Sequence, residues 1–449
     1  MDRTRLPALL SHESAEAERR NPRSRAAYAG ADHLFGRVPM TWMNKTAGAF
    51  PRYLAGARGA RVTDIDGHEY IDFCLGDTGA MAGHSPAPVT EAVQRRYADL
   101  GGATAMLPTE DAEWTGAELT RRFGLARWSF SLTATDANRW AIRLARAVTG
   151  RPKILVNSYC YHGSVDESLI VTGPDGTGTA RPGNVGAPCD VTLTSRVAEF
   201  NDLAGLEREL ACGDVAAVLM EPALTNIGIV LPEPGYLAGV RELTRRYDTL
   251  LINDETHTFS AGPGGCTAAW GLEPDLLTIG KAIGGGIPAG AYGLSAELAD
   301  RLLARADLDL VDMGGVGGTL AGNALSVAAT RATLEHVLTD EAFARMATLA
   351  ERFEAGVRAA VQAHGLPWSV SRLGARTEYR FTSPAPRTGT ESATAADPEL
   401  EDFLHLYLAN RGILLTPFHN MALMCPDTTE QDVDTHTEVF AAALAELAG

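Results

Sequence analysis

No two of the six cysteines, Cys74, Cys160, Cys189, Cys212, Cys266 and Cys425, form a Cys-x-x-Cys pair. The sequence therefore suggests neither a zinc site nor a dithiol redox motif, and no metal is expected. Six scattered thiols in 449 residues suit a reducing compartment, so the expected location is cytoplasmic. Long apolar runs are also missing. Val215 to Met220 is among the longest, and it ends at Glu221-Pro222, far short of bilayer-spanning length. The opening Met1-Asp2-Arg3-Thr4 has no apolar core of the signal-peptide kind. Basic residues are in deficit: 39 Lys and Arg against 56 Asp and Glu give a formal net charge of −17. Such a chain has no electrostatic reason to bind nucleic acid or an anionic membrane, and its charge serves solubility. Nor does the sequence repeat itself.

What is present, 45% hydrophobic and 21% charged residues, is ordinary for a soluble globular enzyme. The length suits one large domain with a smaller companion. Residues 1–35 are charged, Ala-rich and spaced like helix. Residues 52–75 alternate around Asp64-Ile65-Asp66-Gly67, a turn signal between two short strands. From about 88 to 330, helical and strand-like stretches take turns: Asp136 to Val148 as helix, and Lys153 to Asn157, Ala216 to Met220, Thr249 to Asn253 and Leu276 to Ile279 as strands. That alternation predicts an α/β fold with a mostly parallel sheet covered by helices on both faces. Helical periodicity returns over 331–365. Thr382 to Asp397, rich in Pro, Thr, Ser and Ala, reads as an exposed loop. Phe403 to Gly412 and Glu430 to Leu447 read as helices. The expected division is 1–87 (an N-terminal arm and part of a small domain), 88–330 (the large domain) and 331–449 (the rest of the small domain).

Two segments carry the chemistry. Leu250-Leu251-Ile252-Asn253-Asp254-Glu255 and Leu276-Leu277-Thr278-Ile279-Gly280-Lys281 are short apolar strands ending in charge, the second followed by Ala282-Ile283-Gly284-Gly285-Gly286. Ligands of open α/β sheets sit at the carboxyl ends of strands, so Asp254 and Lys281 can converge on one crevice. A lysine flanked by glycines suits attack on an aldehyde. A nearby carboxylate suits a pyridinium nitrogen, which it keeps protonated and electron-withdrawing. Alone, each residue means little, since an Asp after a strand is an ordinary helix cap and a Gly-Lys an ordinary loop. Together they point to pyridoxal 5′-phosphate (PLP) held by Lys281 as a Schiff base.

The stretch 249–295 resembles the PLP-lysine signature of class III aminotransferases, and within that class it is most similar to glutamate-1-semialdehyde 2,1-aminomutases. The resemblance extends from Asp64-Ile65-Asp66-Gly67 and Gly83-His84-Ser85-Pro86 to the C-terminal helix. It implies PLP fold type I: a large domain with a mostly parallel seven-stranded sheet between helices, and a smaller α+β domain from the N- and C-terminal segments. It also implies an active site built at a homodimer interface. Thr133-Ala134-Thr135-Asp136-Ala137 stands where the family has Ser-Gly-Thr-Glu-Ala, so Thr133, Ala134 and Thr135 are expected to open a helix onto the cofactor phosphate. The plainer reading is a capping box with Asp136 in place of Glu. Tyr161-His162-Gly163 matches the family's aromatic-His-Gly, which puts Tyr161 against the pyridine ring beside His162. By the same resemblance Asn226 lies near the phenolic oxygen and Thr256 against the other ring face, where relatives carry Val. His257 reads as a supporting pocket residue rather than a catalytic base. Gly318-Thr319-Leu320-Ala321-Gly322-Asn323 matches the family's Gly-Thr-Leu-Ser-Gly-Asn, which implies that Thr319 reaches the phosphate of the neighbouring subunit.

Departures from the aminomutases fall at substrate positions. Met43 stands where they have a carboxylate-binding Arg, Pro174 where they have a serine, Met421 where they have a pocket glutamate, and Asp77 where they have an aromatic. These changes argue against the aminomutase reaction and leave the cofactor set intact. Arg376 and Arg380 alternate with Glu378 on one face of an expected strand. They read either as a solvent-facing ion-pair ladder or as a carboxylate site reached from a new direction. The expected activity is transfer of an amino group between a small-molecule amine and a keto acid, aldehyde or ketone. The alternatives are an aminomutase, isomerase or C–C bond enzyme on the same scaffold, or a PLP-binding protein without turnover.

Overall fold

Val215–Met220 is buried at every residue, as expected of an inner strand covered on both faces. In the computed structural model, which describes residues 3–185, 189–311 and 316–448, this run belongs to a seven-stranded sheet. Its strands in chain order are β1 (Arg127–Ser131), β2 (Lys153–Asn157), β3 (Ser195–Ala198), β4 (Val215–Met220), β5 (Leu250–Asp254), β6 (Leu276–Ile279) and β7 (Gly290–Leu294). Their spatial order is β1-β7-β6-β5-β4-β2-β3. Only β7 runs against its neighbours, β6 and β1. This is the mostly parallel seven-stranded sheet of the expected α/β class. β5 and β6 pair in register, with Asp254 opposite Thr278, so the chain leaves both strands at the same edge.

The helix that matters most for the site is α1 (Ala134–Thr149). Ala137, Ala141, Ile142, Leu144 and Ala145 are buried along it, the apolar stripe of a helix laid on a sheet. Gly150, left-handed, ends it by donating its N–H to the Arg146 carbonyl.

The chain folds into two compact units. The larger holds Ala87–Phe343 and Pro386–Thr394, with the seven-stranded sheet. The smaller holds Met1–Pro86, Ala344–Ala385 and Ala395–Gly449. In the smaller unit the Asp64–Gly67 turn joins Arg61–Asp64 to Glu69–Asp72 as the alternation predicts. Asp66 accepts hydrogen bonds from the Arg23 and Ser24 amides and the Ser24 hydroxyl, which ties the N-terminal helices to this hairpin. A second sheet pairs Arg376–Arg380 with Ser369–Leu373 and Met421–Leu423.

Two expectations are corrected. The arginine–glutamate alternation is no solvent-facing ladder: Arg376, Glu378 and Arg380 are 1%, 1% and 7% exposed. The strand lies between two others, and both of its faces are covered. The segment 382–397 is not a plain exposed loop either. It contains a short helix, Gly389–Thr394, with Gly389 and Ser392 buried. Composition hid this element because partners distant in sequence hold it: Arg387 pairs with Glu233, Thr390 bonds to Glu199 and Ser392 donates to the Ile227 carbonyl. The next helix, Pro398–Asn410, also starts earlier than expected, capped by Asp397 with proline in its first turn.

Candidate active site

The site lies in the larger unit, at the carboxyl edge of β4, β5 and β6. Asp254 is the last residue of β5 and is buried. Its Oδ2 lies 2.9 Å from His162 Nδ1 and accepts a hydrogen bond from Asn138 Nδ2 at 2.8 Å. Its Oδ1 accepts the Thr256 amide at 3.0 Å. Burial works against the carboxylate charge, but the bond and charge of His162, with Thr256 and Asn138, outweigh it and hold Asp254 below the usual carboxylate range. Burial likewise opposes a charged His162, yet Cys160 and Asp254 raise it well above the ordinary histidine value. The two groups thus form a buried ion pair.

Asn138 is the site residue that the sequence did not disclose. It is a buried amide inside α1, with Nδ2 on Asp254 and on the His162 carbonyl (3.2 Å) and Oδ1 accepting from Thr278 Oγ1 at 2.7 Å. One side chain so joins α1 to the ends of β5 and β6. The signal was only a polar residue on the apolar stripe.

Glu221, one residue past β4, is buried beside this pair. Burial pushes it up to about 7, against the opposing pull of His162 and Thr225. The neighbouring Glu255 turns away and braces the next turn through the Thr258 hydroxyl, the Cys266 amide and both the amide and hydroxyl of Thr267.

Lys281 follows β6 and opens a short 3-10 turn, Lys281–Gly284. Its φ of +47° lies in the left-handed region, a strained state for a side-chain-bearing residue that tends to occur at functional sites. Its Nζ lies 2.9 Å from His257 Nε2.

Thr133 caps α1, accepting the Asp136 amide at 3.1 Å, so the capping reading holds as geometry. Thr135 Oγ1 accepts the Ser164 amide at 3.2 Å. Two glycines let neighbouring loops close on this helix start. A Cβ on Gly280 would stand 2.8 Å from the Ala134 nitrogen, and one on Gly163 would stand 1.9 Å from Thr135 Oγ1. Tyr161 is 42% exposed at the same edge. Asn226 donates to the Tyr159 carbonyl at 3.3 Å, and the buried Thr256 hydroxyl meets no hydrogen-bond partner among the described residues.

PLP demands an amine for its aldehyde, a carboxylate for its ring nitrogen, an anion site for its phosphate and a flat apolar face. Lys281, the ion-paired Asp254, the start of α1 and Tyr161 supply that set, in a cradle that a methyl group at Gly280 or Gly163 would disturb. The residues fit the cofactor.

The remaining expected residues lie on other segments of the chain. Thr319 lies on an exposed turn before the helix Ala324–His336. Met43, Asp77, Arg376 and Arg380 belong to the smaller unit. Met43 sits in the turn Thr41–Asn44, Asp77 is left-handed at φ +48°, and the Arg376 guanidinium donates to the hydroxyl of the adjacent Thr78.

Residues 42–444 match the class III aminotransferase family. A glutamate-1-semialdehyde 2,1-aminomutase of Desulfitobacterium hafniense is 35% identical over 398 residues, which cover 87% of this chain and 90% of that one. A crystal structure of a glutamate-1-semialdehyde-aminomutase from Pseudomonas aeruginosa PAO1, in complex with PMP, is 48% identical. It superposes with a TM-score of 0.97 over 100% of this chain and 99% of that one. An omega-transaminase from Sphaerobacter thermophilus is 33% identical, with a TM-score of 0.86 over 95% and 98% of the two chains. The sequence signature, the sheet and the site agree with these matches: the chain belongs to the class III aminotransferases, a family of PLP-dependent enzymes.

Proposed function

We propose that this enzyme transfers an amino group between an amino donor and a keto acid, aldehyde or ketone, with PLP held by Lys281. The observation that carries the reading is the pairing of β5 with β6, which delivers the ion-paired Asp254 and the amine-bearing Lys281 to one sheet edge. PLP, when bound, supplies an aldehyde that condenses with amines and a ring that takes up electrons from a bond broken at the substrate's Cα. The protein residues do the rest. Asp254 holds a proton on the ring nitrogen, and His162 and Asn138 hold Asp254 in place. The amide groups at the start of α1 bind the phosphate. Tyr161 would cover one ring face, Thr256 would meet the other, and Asn226 would serve the phenolic oxygen. Lys281 Nζ would hold the cofactor and, when free, would take the proton from the substrate's Cα.

A second reading, an aminomutase, is favoured by the names of the relatives above. Met43, Pro174, Met421 and Asp77 weigh against it, since each replaces a residue type that those enzymes use on their substrate. We further propose a homodimer in which Thr319 reaches the partner subunit's phosphate site. All six cysteines are free thiols, which supports a cytoplasmic location. The test is a screen of amino donors against the PLP-loaded enzyme. The transaminase reading expects a donor that converts bound PLP stoichiometrically to pyridoxamine phosphate and yields a keto product. If no donor does so while glutamate-1-semialdehyde is isomerised, the aminomutase reading replaces it.

A further inference from the structure

We propose that Thr278 is a positioning residue: through Asn138 it holds Asp254 in register with Lys281. The proposal rests on the PLP reading, with Lys281 as the PLP lysine and Asp254 as the partner of the ring nitrogen. Thr278 lies on β6, three residues before Lys281, and stands opposite Asp254 in the β5–β6 ladder. Its carbonyl accepts the Glu255 amide at 2.8 Å, so its backbone is fixed against the end of β5. Its hydroxyl donates to Asn138 Oδ1 at 2.7 Å, and Asn138 Nδ2 donates to Asp254 Oδ2 at 2.8 Å. Thr278 and Asn138 are both fully buried.

The chain of bonds has one direction. Asn138 Nδ2 faces two acceptors, Asp254 Oδ2 and the His162 carbonyl. Its Oδ1 faces the Thr278 hydroxyl. A turned amide would set its oxygen against both acceptors, so the observed orientation is the one that satisfies all of them. Donation into Oδ1 also polarises the amide and strengthens the Nδ2–H bond to the carboxylate. The other groups on Asp254 come from elsewhere: His162 from the loop after β2, and the Thr256 amide from Asp254's own turn. Asn138 and Thr278 add a side-chain link to the strand that leads into Lys281.

The link matters because of the cofactor's shape. In PLP the aldehyde and the ring nitrogen lie at opposite ends of one rigid ring. An amine that meets the first and a carboxylate that meets the second must therefore keep a fixed separation, and small displacements at such a site are costly. A valine at 278 has nearly the shape of threonine but no hydroxyl. It would leave the buried Asn138 Oδ1 without the donor it now has, and Asp254 with a weaker hold.

The test loads the full-length protein with PLP isotope-labelled at its ring nitrogen. It reads that atom's NMR shift, which separates a pyridinium from a neutral pyridine, beside the single-turnover rate with an amino donor. Thr278→Ser, which keeps the hydroxyl, should match wild type in both. Thr278→Val should move the shift toward neutral pyridine and slow the donor half-reaction about fivefold, the range of one hydrogen bond. Thr278→Cys, whose thiol is a weak donor, should fall between, and it serves the comparison if the valine variant does not fold. In an Asn138→Ala background, Thr278→Val should change neither reading further. A wild-type shift and rate in Thr278→Val, or effects of Thr278→Val and Asn138→Ala that simply add, would overturn the proposal. If Asp254→Ala leaves the ring-nitrogen shift unchanged, it is the assignment of Asp254 that fails, and the proposal with it.

Discussion

His162 Nδ1 and Asp254 Oδ2 lie 2.9 Å apart with both side chains buried. The imidazole of one loop therefore fixes the carboxylate that ends β5. Replacing Asp254 with alanine removes the charge that would keep the ring nitrogen protonated, while Lys281 and the start of α1 stay in place. Asp254→Ala should still hold PLP but lose at least about tenfold in the donor half-reaction, ~1.4 kcal/mol in the barrier. Single-turnover kinetics would show this. A smaller loss would mean that another group protonates the ring.

The same pair sets a pH dependence of stability. Asp254 is lowered in the folded chain, so its contribution is present above the unfolded carboxylate range near ~3.9 and is lost as pH falls through its folded value. His162 is raised, so its contribution is full below ~6.5 and is lost as pH rises through its folded value. The melting-temperature difference between wild type and His162→Gln should then be widest at about pH 4–6.5 and shrink at alkaline pH. A difference constant across pH would contradict an ion pair.

Gly280 leaves no room for a side chain, since its Cβ would stand 2.8 Å from the Ala134 nitrogen. Gly280→Ala should destabilise the protein by about 1–3 kcal/mol, as forced overpacking does, and should weaken PLP retention by pushing Lys281 and the start of α1 apart. Equilibrium unfolding and dialysis against PLP would measure the two effects. Wild-type values in both would remove Gly280 from the site.

What the sequence disclosed follows from where the information lay. β4 and β6 were legible because Val215–Met220 and Leu276–Ile279 are unbroken apolar runs, and Asp254 and Lys281 because charge follows such runs directly. β1 and β7 gave no comparable signal. Arg-Trp-Ser-Phe-Ser mixes polar and aromatic residues, and Gly-Ala-Tyr-Gly-Leu carries two glycines. Asn138 was invisible for a different reason: periodicity marks where a residue points, and only the fold shows that Asp254 and Thr278 meet it there. The burial of Arg376 and Arg380 was likewise a property of the flanking strands rather than of their own alternation.

If Thr319 serves the partner subunit's phosphate site, two inactive variants should complement. Lys281→Ala and a Thr319 variant, unfolded and refolded together, should give about a quarter of wild-type activity, because half the dimers are mixed and each mixed dimer has one intact site. No recovery would place the function of Thr319 within its own chain.

Arg376 and Arg380 are candidates for binding a substrate carboxylate, in place of the arginine that the aminomutases have where this chain has Met43. Arg376→Ala or Arg380→Ala should raise KM for an acid substrate by at least about tenfold, the range of a lost charge-assisted hydrogen bond, and leave the PLP absorbance unchanged. Unchanged KM for every accepted acid in both variants would move the carboxylate site elsewhere. Because both arginines are buried, thermal melts of each variant are needed beside the kinetics.

The most direct test of the central claim is to treat the PLP-loaded protein with borohydride, digest it and locate the modified peptide by mass spectrometry. The account predicts one phosphopyridoxyl group per chain, on Lys281, and no turnover by Lys281→Ala. A label on another lysine, or full turnover by Lys281→Ala, would contradict it.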